Sequence, residues 1–185
     1  MSSARTSFRL AVVVPLSACV LAISAGCRGM PRGERHASAT LQDSSGRRVG
    51  MIRLTDAGAS GVVVDASVEG LAAGEHGIHF HAVGQCTAAG AFASAGGHAN
   101  PTGRKHGLEN PEGPHAGDLP NIVVGADQRG SLRVTTPRVT LGADVGSLLD
   151  EDGSAVVVHA TRDDQRTDPA GNSGARVACG VVRRS

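Results

Sequence analysis

The sequence predicts an all-β domain, a sandwich or flattened barrel of about eight short strands. Three observations carry that reading. Apolar residues recur in short runs, several of them alternating with polar ones, the pattern of strands with at least one buried face. Turn signals punctuate the runs, among them many of the 26 glycines. No stretch shows the apolar period of an amphipathic helix. His36–Asp43 and Arg48–Thr55 are the first two runs, joined by the turn sequence Ser44-Ser45-Gly46-Arg47. Gly61–Val68, with Val62, Val63, Val64 and Val68, is the third. Gly70-Leu71-Ala72-Ala73-Gly74 then turns the chain into Glu75–His81. Leu119–Ala126, Ser131–Val139, Ser154–Ala160 and Ala175–Val182 read as the remaining strands. Two polar stretches without periodicity, Gly84–Gly117 and Arg162–Ala175, lie between them, and such long loops in a compact domain are usually functional or clamped. With no Trp, no Tyr and three Phe, the core has to be built from Val, Ile, Leu and Ala.

A chain of 185 residues bounds the answer at one domain with appendages. Lys plus Arg number 18 against 17 Asp plus Glu, so no basic stripe of the nucleic-acid-binding kind is present. The first nine residues carry Arg5 and Arg9 and no acid, and Leu10–Ala25 is an apolar run broken by Pro15, Ser17, Cys19 and Ser24. This is the layout of an export signal, and the run falls short of the ~20 residues of a spanning helix. Ser24-Ala25-Gly26-Cys27 resembles a bacterial lipobox, in which the cysteine is lipidated and becomes the new N-terminus. Leu16-Ser17-Ala18-Cys19 also fits, but cleavage there would leave the apolar Val20–Ala25 behind, so Cys27 is the favoured anchor. An uncleaved membrane anchor is the alternative. The resulting organisation is a signal over 1–26, a tether over 27–37 and a folded domain over 38–185, placed outside the cytoplasm in the periplasm or cell envelope. His36 is assigned no role.

Four cysteines divide between these regions. Cys19 and Cys27 lie in the signal, and Cys86 and Cys179 in the folded part. An even pair in an oxidising compartment reads as a disulfide, against the alternatives of two free thiols or soft metal ligands.

The histidines supply the chemistry. In Glu75-His76-Gly77-Ile78-His79-Phe80-His81, side-chain alternation points His79 and His81 one way and Ile78 and Phe80 the other. Two imidazoles held on one strand face suit copper or zinc, and the bland alternative is a histidine pair on a solvated face. The first long loop and its exit hold His98, His106, His115 and Asp118. Three imidazoles and one carboxylate make a full tetrahedral set for zinc, closed and therefore structural; the alternative is three surface histidines in an unclamped loop. His159 ends the apolar run Val156-Val157-Val158, where it is either a third ligand beside His79 and His81 or a capping or buried histidine.

Taken together, His76–His81, His98 with Asn100-Pro101, Arg104-Lys105-His106-Gly107, His115-Ala116-Gly117-Asp118, Val157-Val158-His159 and Gly171–Gly180 resemble the copper/zinc superoxide dismutases over about residues 38–183. The resemblance implies a Greek-key β-sandwich or flattened barrel of eight strands with two long functional loops. It implies copper on His79, His81, His98 and His159, and zinc on His98, His106, His115 and Asp118, with the His98 ring shared between the ions. It places His76 and Asp163 behind the ligands, Arg176 beside the copper as guide for an anion, and Cys86–Cys179 as the intrasubunit disulfide. The implied activity converts superoxide to O₂ and H₂O₂ by Cu(II)/Cu(I) cycling and protects the cell envelope. The implied partners are superoxide as substrate and the membrane through the N-terminal lipid, with the protein a monomer or a homodimer. One segment departs from the family pattern: Arg162–Ala170 is short, mixed in sign and lacks Lys, so electrostatic steering there falls to arginines. The rival reading from another class is a non-catalytic copper- and zinc-binding envelope lipoprotein of the same fold; a structural sandwich binding zinc alone is a third.

Overall fold

The computed structural model describes residues 35–185. The export signal, Cys19, Cys27 and the tether up to residue 34 lie outside the described residues. Strand β1 (His36–Asp43) is joined to β2 (Arg48–Asp56) by the expected turn, in which Asp43 Oδ1 accepts the backbone N–H groups of Ser45 and Arg47 at 2.9 and 3.1 Å. Then come β3 (Val62–Glu69), β4 (Gly74–His76), β5 (Ile78–His81), β6 (Ile122–Val124), β7 (Arg129–Thr136), β8 (Ala155–His159), β9 (Arg176–Val181) and β10 (Arg183–Arg184). The helical content among the described residues is two single 3₁₀ turns, Gly58–Ser60 and Ala93–Ala95. β1 has the bounds expected from the sequence, and its first two residues, His36 and Ala37, are also the end of the expected tether. Ala37 is buried and sits between Leu54 and Arg184 in the sheet.

The strands run in the order β4-β6-β7-β3-β2-β1-β9-β8-β5, antiparallel throughout, with β10 added beside β1. β4 and β5 stand at opposite ends of that order, yet only Gly77 separates them in the chain. The run from Gly74 to His81 therefore pairs with β6 through its first half and with β8 through its second, and it closes the sheet into a flattened barrel. Counting it once, and leaving out the two-residue β10, gives the eight strands expected. The connections from β3 to β4 and from β7 to β8 cross between non-neighbours, as a Greek key requires.

Two strands are shorter or shifted for identifiable reasons. The run expected over Leu119–Ala126 pairs only over Ile122–Val124, because Gly125–Gln128 forms a turn and Leu119 belongs to the loop leaving Asp118. The run expected over Ser131–Val139 is β7, ending at Thr136, because Pro137 has no N–H to give the ladder.

Alternation builds the core. Ala39 and Leu41 of β1, Ile52 and Leu54 of β2, Val62 and Val64 of β3, and Ile78 and Phe80 of β5 all turn inward and are at most 1% exposed. β8 is buried on both faces: Val156 and Val158 enter this main core, while Ala155 and Val157 pack with Phe92, Ala95 and Cys179 in a second cluster. A strand buried on both sides is a rigid mount for the histidine at its end. Cys86 and Cys179 form the expected disulfide, with Cα atoms 5.6 Å apart, and it staples the first long loop to β9.

Candidate metal centre

β5 carries the first two histidines. Because Ile78 and Phe80 fill the core, His79 and His81 project from the opposite face, and both are buried by the long loops folded over them. The first loop returns alongside β5 to do so. Ala99 donates to Phe80 O at 2.8 Å, Phe80 to Gly117 O at 2.9 Å, and Gly117 to Ala99 O at 2.8 Å. Gly117 is required for that approach, since a Cβ there would collide with the carbonyl oxygen of Phe80. The same pairing sets His98 opposite His81 and Asp118 opposite His79. His159 arrives from the end of β8, its N–H donating to Gly77 O at 2.8 Å in the gap between β4 and β5.

In four of these rings one nitrogen is engaged and the other is free. His79 Nε2 lies 2.7 Å from Asp163 Oδ2, His81 Nδ1 lies 2.9 Å from Gly96 O, and His159 Nδ1 lies 3.1 Å from Gly174 O. His98 Nδ1 lies 2.9 Å from Asp118 Oδ1. Their second nitrogens, His79 Nδ1, His81 Nε2, His98 Nε2 and His159 Nε2, are buried without a hydrogen-bond partner; among the described residues Arg138 Nε is the one other buried side-chain atom in that condition. Buried polar atoms are almost always satisfied, so four unsatisfied imidazole nitrogens in one place need a ligand that accepts lone pairs. The four rings can bring ligand atoms within 4.8 Å of one another. That donor set fits copper.

A second set shares His98. Asp118 Oδ1 sits 2.9 Å from His98 Nδ1, 3.1 Å from His106 Nδ1 and 3.4 Å from His115 Nδ1, and the His98 and His115 nitrogens are 3.4 Å apart. A tetrahedral zinc with bonds of about 2.0–2.1 Å separates its ligand atoms by about 3.3 Å, so this spacing is that of a zinc tetrahedron. Oδ2, the other oxygen of Asp118, is occupied by the N–H groups of Gly107 at 2.8 Å and His115 at 2.9 Å, which fixes the carboxylate. His98 thus turns Nδ1 to one cluster and Nε2 to the other.

Asp163 joins the clusters from behind. Its Oδ2 accepts from His79, and its Oδ1 lies 3.0 Å from His106 Nε2. With Nε2 protonated on both rings, Nδ1 of His79 carries its lone pair toward its own cluster, and Nδ1 of His106 would do so once a metal ion displaces its proton. His76 is buried, with Nδ1 2.7 Å from His159 O and Nε2 2.9 Å from Ala72 O, and it braces the backbone beneath His159.

Electrostatics follow from this packing. Burial lowers the His79 pKa to about 3 against the opposing hydrogen bond from Asp163. Burial and the neighbouring His98 take His81 to about 2, and burial takes His159 to about 4 despite its bond to Gly174. All three are neutral donors at ordinary pH. His106 differs: burial works against its charge, but Asp118 and Asp163 grip both its nitrogens and raise it to about 9. Burial alone would raise the Asp118 and Asp163 carboxyls, yet the histidine hydrogen bonds hold both well below the usual carboxylate range.

Arg176 lies opposite His159 in the β8–β9 ladder. Its Nη1 donates to Phe92 O at 2.7 Å and its Nη2 to Gly96 O at 2.6 Å, the same carbonyl that His81 uses. Its charge contributes to the lowered values of His81 and His159, which places it electrically at the first cluster. The expected histidines, Asp118, Asp163 and Arg176 therefore lie together here, and the Cys86–Cys179 disulfide holds the loop whose carbonyls fix Arg176; Cys27 lies outside the described residues.

Three functional neighbours escaped the sequence reading. Asn121 clasps the Asp163 backbone, accepting its N–H at 2.8 Å and donating to its carbonyl at 2.9 Å. Asp168 accepts the His106 N–H at 2.8 Å. Gln165 is buried beneath Asp163. None belongs to a periodic run or a ligand motif, and only their partners across the fold give them meaning. Of the arginines expected to steer, Arg162 lies 3.0 Å from Glu75 and Arg166 lies 2.6 Å from Glu109, both in exposed pairs.

Residues 48–182 match the family model described as copper/zinc superoxide dismutase (SODC). The chain is 46% identical over 151 residues to superoxide dismutase [Cu-Zn] 2 of Aquifex aeolicus, covering 80% of this chain and 86% of that protein. It is 40% identical over 190 residues to superoxide dismutase [Cu-Zn] of Deinococcus radiodurans, covering 95% and 98%. Among solved structures, a SOD-like protein from Bacillus subtilis superimposes with a TM-score of 0.75 at 39% identity, covering 78% of this chain and 96% of that one. The barrel, the two histidine clusters and these matches together show that the chain belongs to the copper/zinc superoxide dismutase family.

Proposed function

We propose that this protein disproportionates superoxide, with copper on His79, His81, His98 and His159 and zinc on His98, His106, His115 and Asp118. The observation that carries the assignment is the set of four buried imidazole nitrogens without partners, each on a ring whose other nitrogen is anchored. Copper held there would supply one-electron cycling between Cu(II) and Cu(I), so that the electron taken from one superoxide, which leaves as O₂, could pass with two protons to a second, which leaves as H₂O₂; zinc has no such redox change. The chain's own residues do the rest. Arg176 presents a fixed positive charge that draws in and orients the anion, and it retains N–H groups beyond the two given to Phe92 and Gly96. His98 Nε2 faces the copper side, and whenever it is not bound to the metal its lone pair can hold a proton and pass it to a reduced oxygen. Asp163 and the Gly96 and Gly174 carbonyls keep the His79, His106, His81 and His159 rings in one tautomer and orientation, and His76 braces the backbone beneath His159.

The proposal extends to location. The basic start, the apolar run and Ser24-Ala25-Gly26-Cys27 support export with a lipid on Cys27, and a disulfide in the folded domain is in keeping with an oxidising compartment. The work is then removal of superoxide outside the cytoplasm, at the envelope. Metal analysis with a superoxide-consumption assay tests the activity: about one copper and one zinc per chain with catalysed decay is expected, and zinc alone or decay at the uncatalysed rate refutes it. Mass spectrometry of the mature N-terminus tests the anchor, which fails if Cys27 is unmodified.

A further inference from the structure

Gln165 makes contacts out of proportion to its place in a short polar loop. It is buried, and its backbone adopts φ of 62°, a left-handed conformation that costs a residue with a side chain energy unless something enforces it. Four hydrogen bonds enforce it. Its N–H donates to Asp163 Oδ1 at 2.6 Å, and its carbonyl accepts the Glu109 N–H at 3.0 Å. Its side-chain Nε2 donates to Leu119 O at 3.2 Å, and its Oε1 accepts from Leu108 N at 3.4 Å. Leu119 directly follows Asp118, and Leu108 lies two residues past His106. Gly107 completes the fit: at φ of +107° it passes so close that a Cβ would strike the Gln165 carbonyl.

We propose that Gln165 is a positioning residue that sets the two long loops in register. One amide spans the chain beside two of the zinc-side residues, while the backbone of the same residue aims the carboxylate that holds His79 and His106. The inference rests on the ligand assignment above. It says that zinc retention depends on the Gln165 amide rather than on the more conspicuous surface pair of Arg166 with Glu109. That pair is exposed and of a kind worth little in water.

The test uses full-length protein loaded with copper and zinc. Gln165→Met keeps the side-chain length and the backbone strain but removes both amide hydrogen bonds. Gln165→Gly removes the side chain and relieves the strain, which guards against a variant that fails only for conformational reasons. Zinc transfer to a chromogenic chelator should be about 10- to 100-fold faster in both, the usual scale for losing a residue behind metal ligands. Copper transfer should accelerate less than zinc transfer, and Arg166→Ala should stay within about twofold of the parent. Zinc release at the parental rate in Gln165→Met, or in Gln165→Gly, overturns the proposal. So does equal acceleration of copper and zinc, which is what general loosening of the fold would produce. A parent protein that retains no zinc overturns the ligand assignment as well, so the two failures are told apart by the parent alone.

Discussion

Replacing Asp163 by Asn isolates what one carboxylate does for two metal sites. The carboxylate accepts from His79 Nε2 at 2.7 Å through Oδ2 and from His106 Nε2 at 3.0 Å through Oδ1. Asn has the same shape but only one oxygen. Whichever way its amide sits, its NH₂ faces one of the two rings and needs an acceptor there. That ring must move its proton from Nε2 to Nδ1, the atom that otherwise faces a cluster. The lost bond joins a buried donor to an ionised acceptor and is worth about 1.5–3 kcal/mol. At 1.4 kcal/mol per decade, affinity at one site should fall about 10- to 140-fold. Competition against chelators of graded strength, run separately for copper and zinc, measures this. Far-UV circular dichroism serves as the fold control, because a chain without Trp or Tyr has little intrinsic fluorescence to follow. If both metals bind Asp163→Asn within about threefold of the parent, about 0.7 kcal/mol, the tautomer argument is wrong.

Three further outcomes are expected. Metal-free protein should be most stable near pH 6.5: His79, His81 and His159 have folded values of about 3, 2 and 4 against an ordinary 6.5, so their contribution is lost as pH falls below 6.5, whereas the contribution of His106, raised to about 9, is lost as pH rises through 9. Urea midpoints between pH 4 and 9 would refute this by rising steadily to the alkaline end. Reducing Cys86–Cys179, 93 positions apart, should lower unfolding free energy by about 4–5 kcal/mol and free the loop that fixes Arg176; an unchanged midpoint under reductant would contradict it. Arg176→Ala should lower kcat/KM for superoxide by about tenfold or more with metal content intact, and the gap should narrow as salt screens the charge; equal rates in dilute buffer would remove Arg176 from the substrate's path.

Much of this protein was legible in its sequence because the signals are local. Alternation in β1, β2 and β3 needs only neighbouring residues, and the same period-two rule put His79 and His81 on one face with Ile78 and Phe80 on the other. Three imidazoles and a carboxylate in one loop made a zinc set readable as a candidate, while the copper set and the sharing of His98 came from the family resemblance. Strand ends were less legible. β7 stops at Thr136 because of a proline that a purely apolar pattern overlooks, and the run expected over Leu119–Ala126 pairs only over Ile122–Val124 because a turn follows at Gly125.

By itself the sequence pointed to the fold class, to Cys86 and Cys179 as a pair and to the residues able to hold metal, since these are read from side-chain type, order along the chain and the family resemblance they carry. Tertiary structure alone decided which nitrogen is free on His79, His81, His98 and His159, that Arg162 and Arg166 pair with Glu75 and Glu109, and that Asn121, Gln165 and Asp168 adjoin the site. The physical reason is that a hydrogen bond is set by distance and direction between groups far apart in the chain. Asp163 and His79 meet at 2.7 Å across 84 positions, and no pattern of neighbouring residues encodes that meeting.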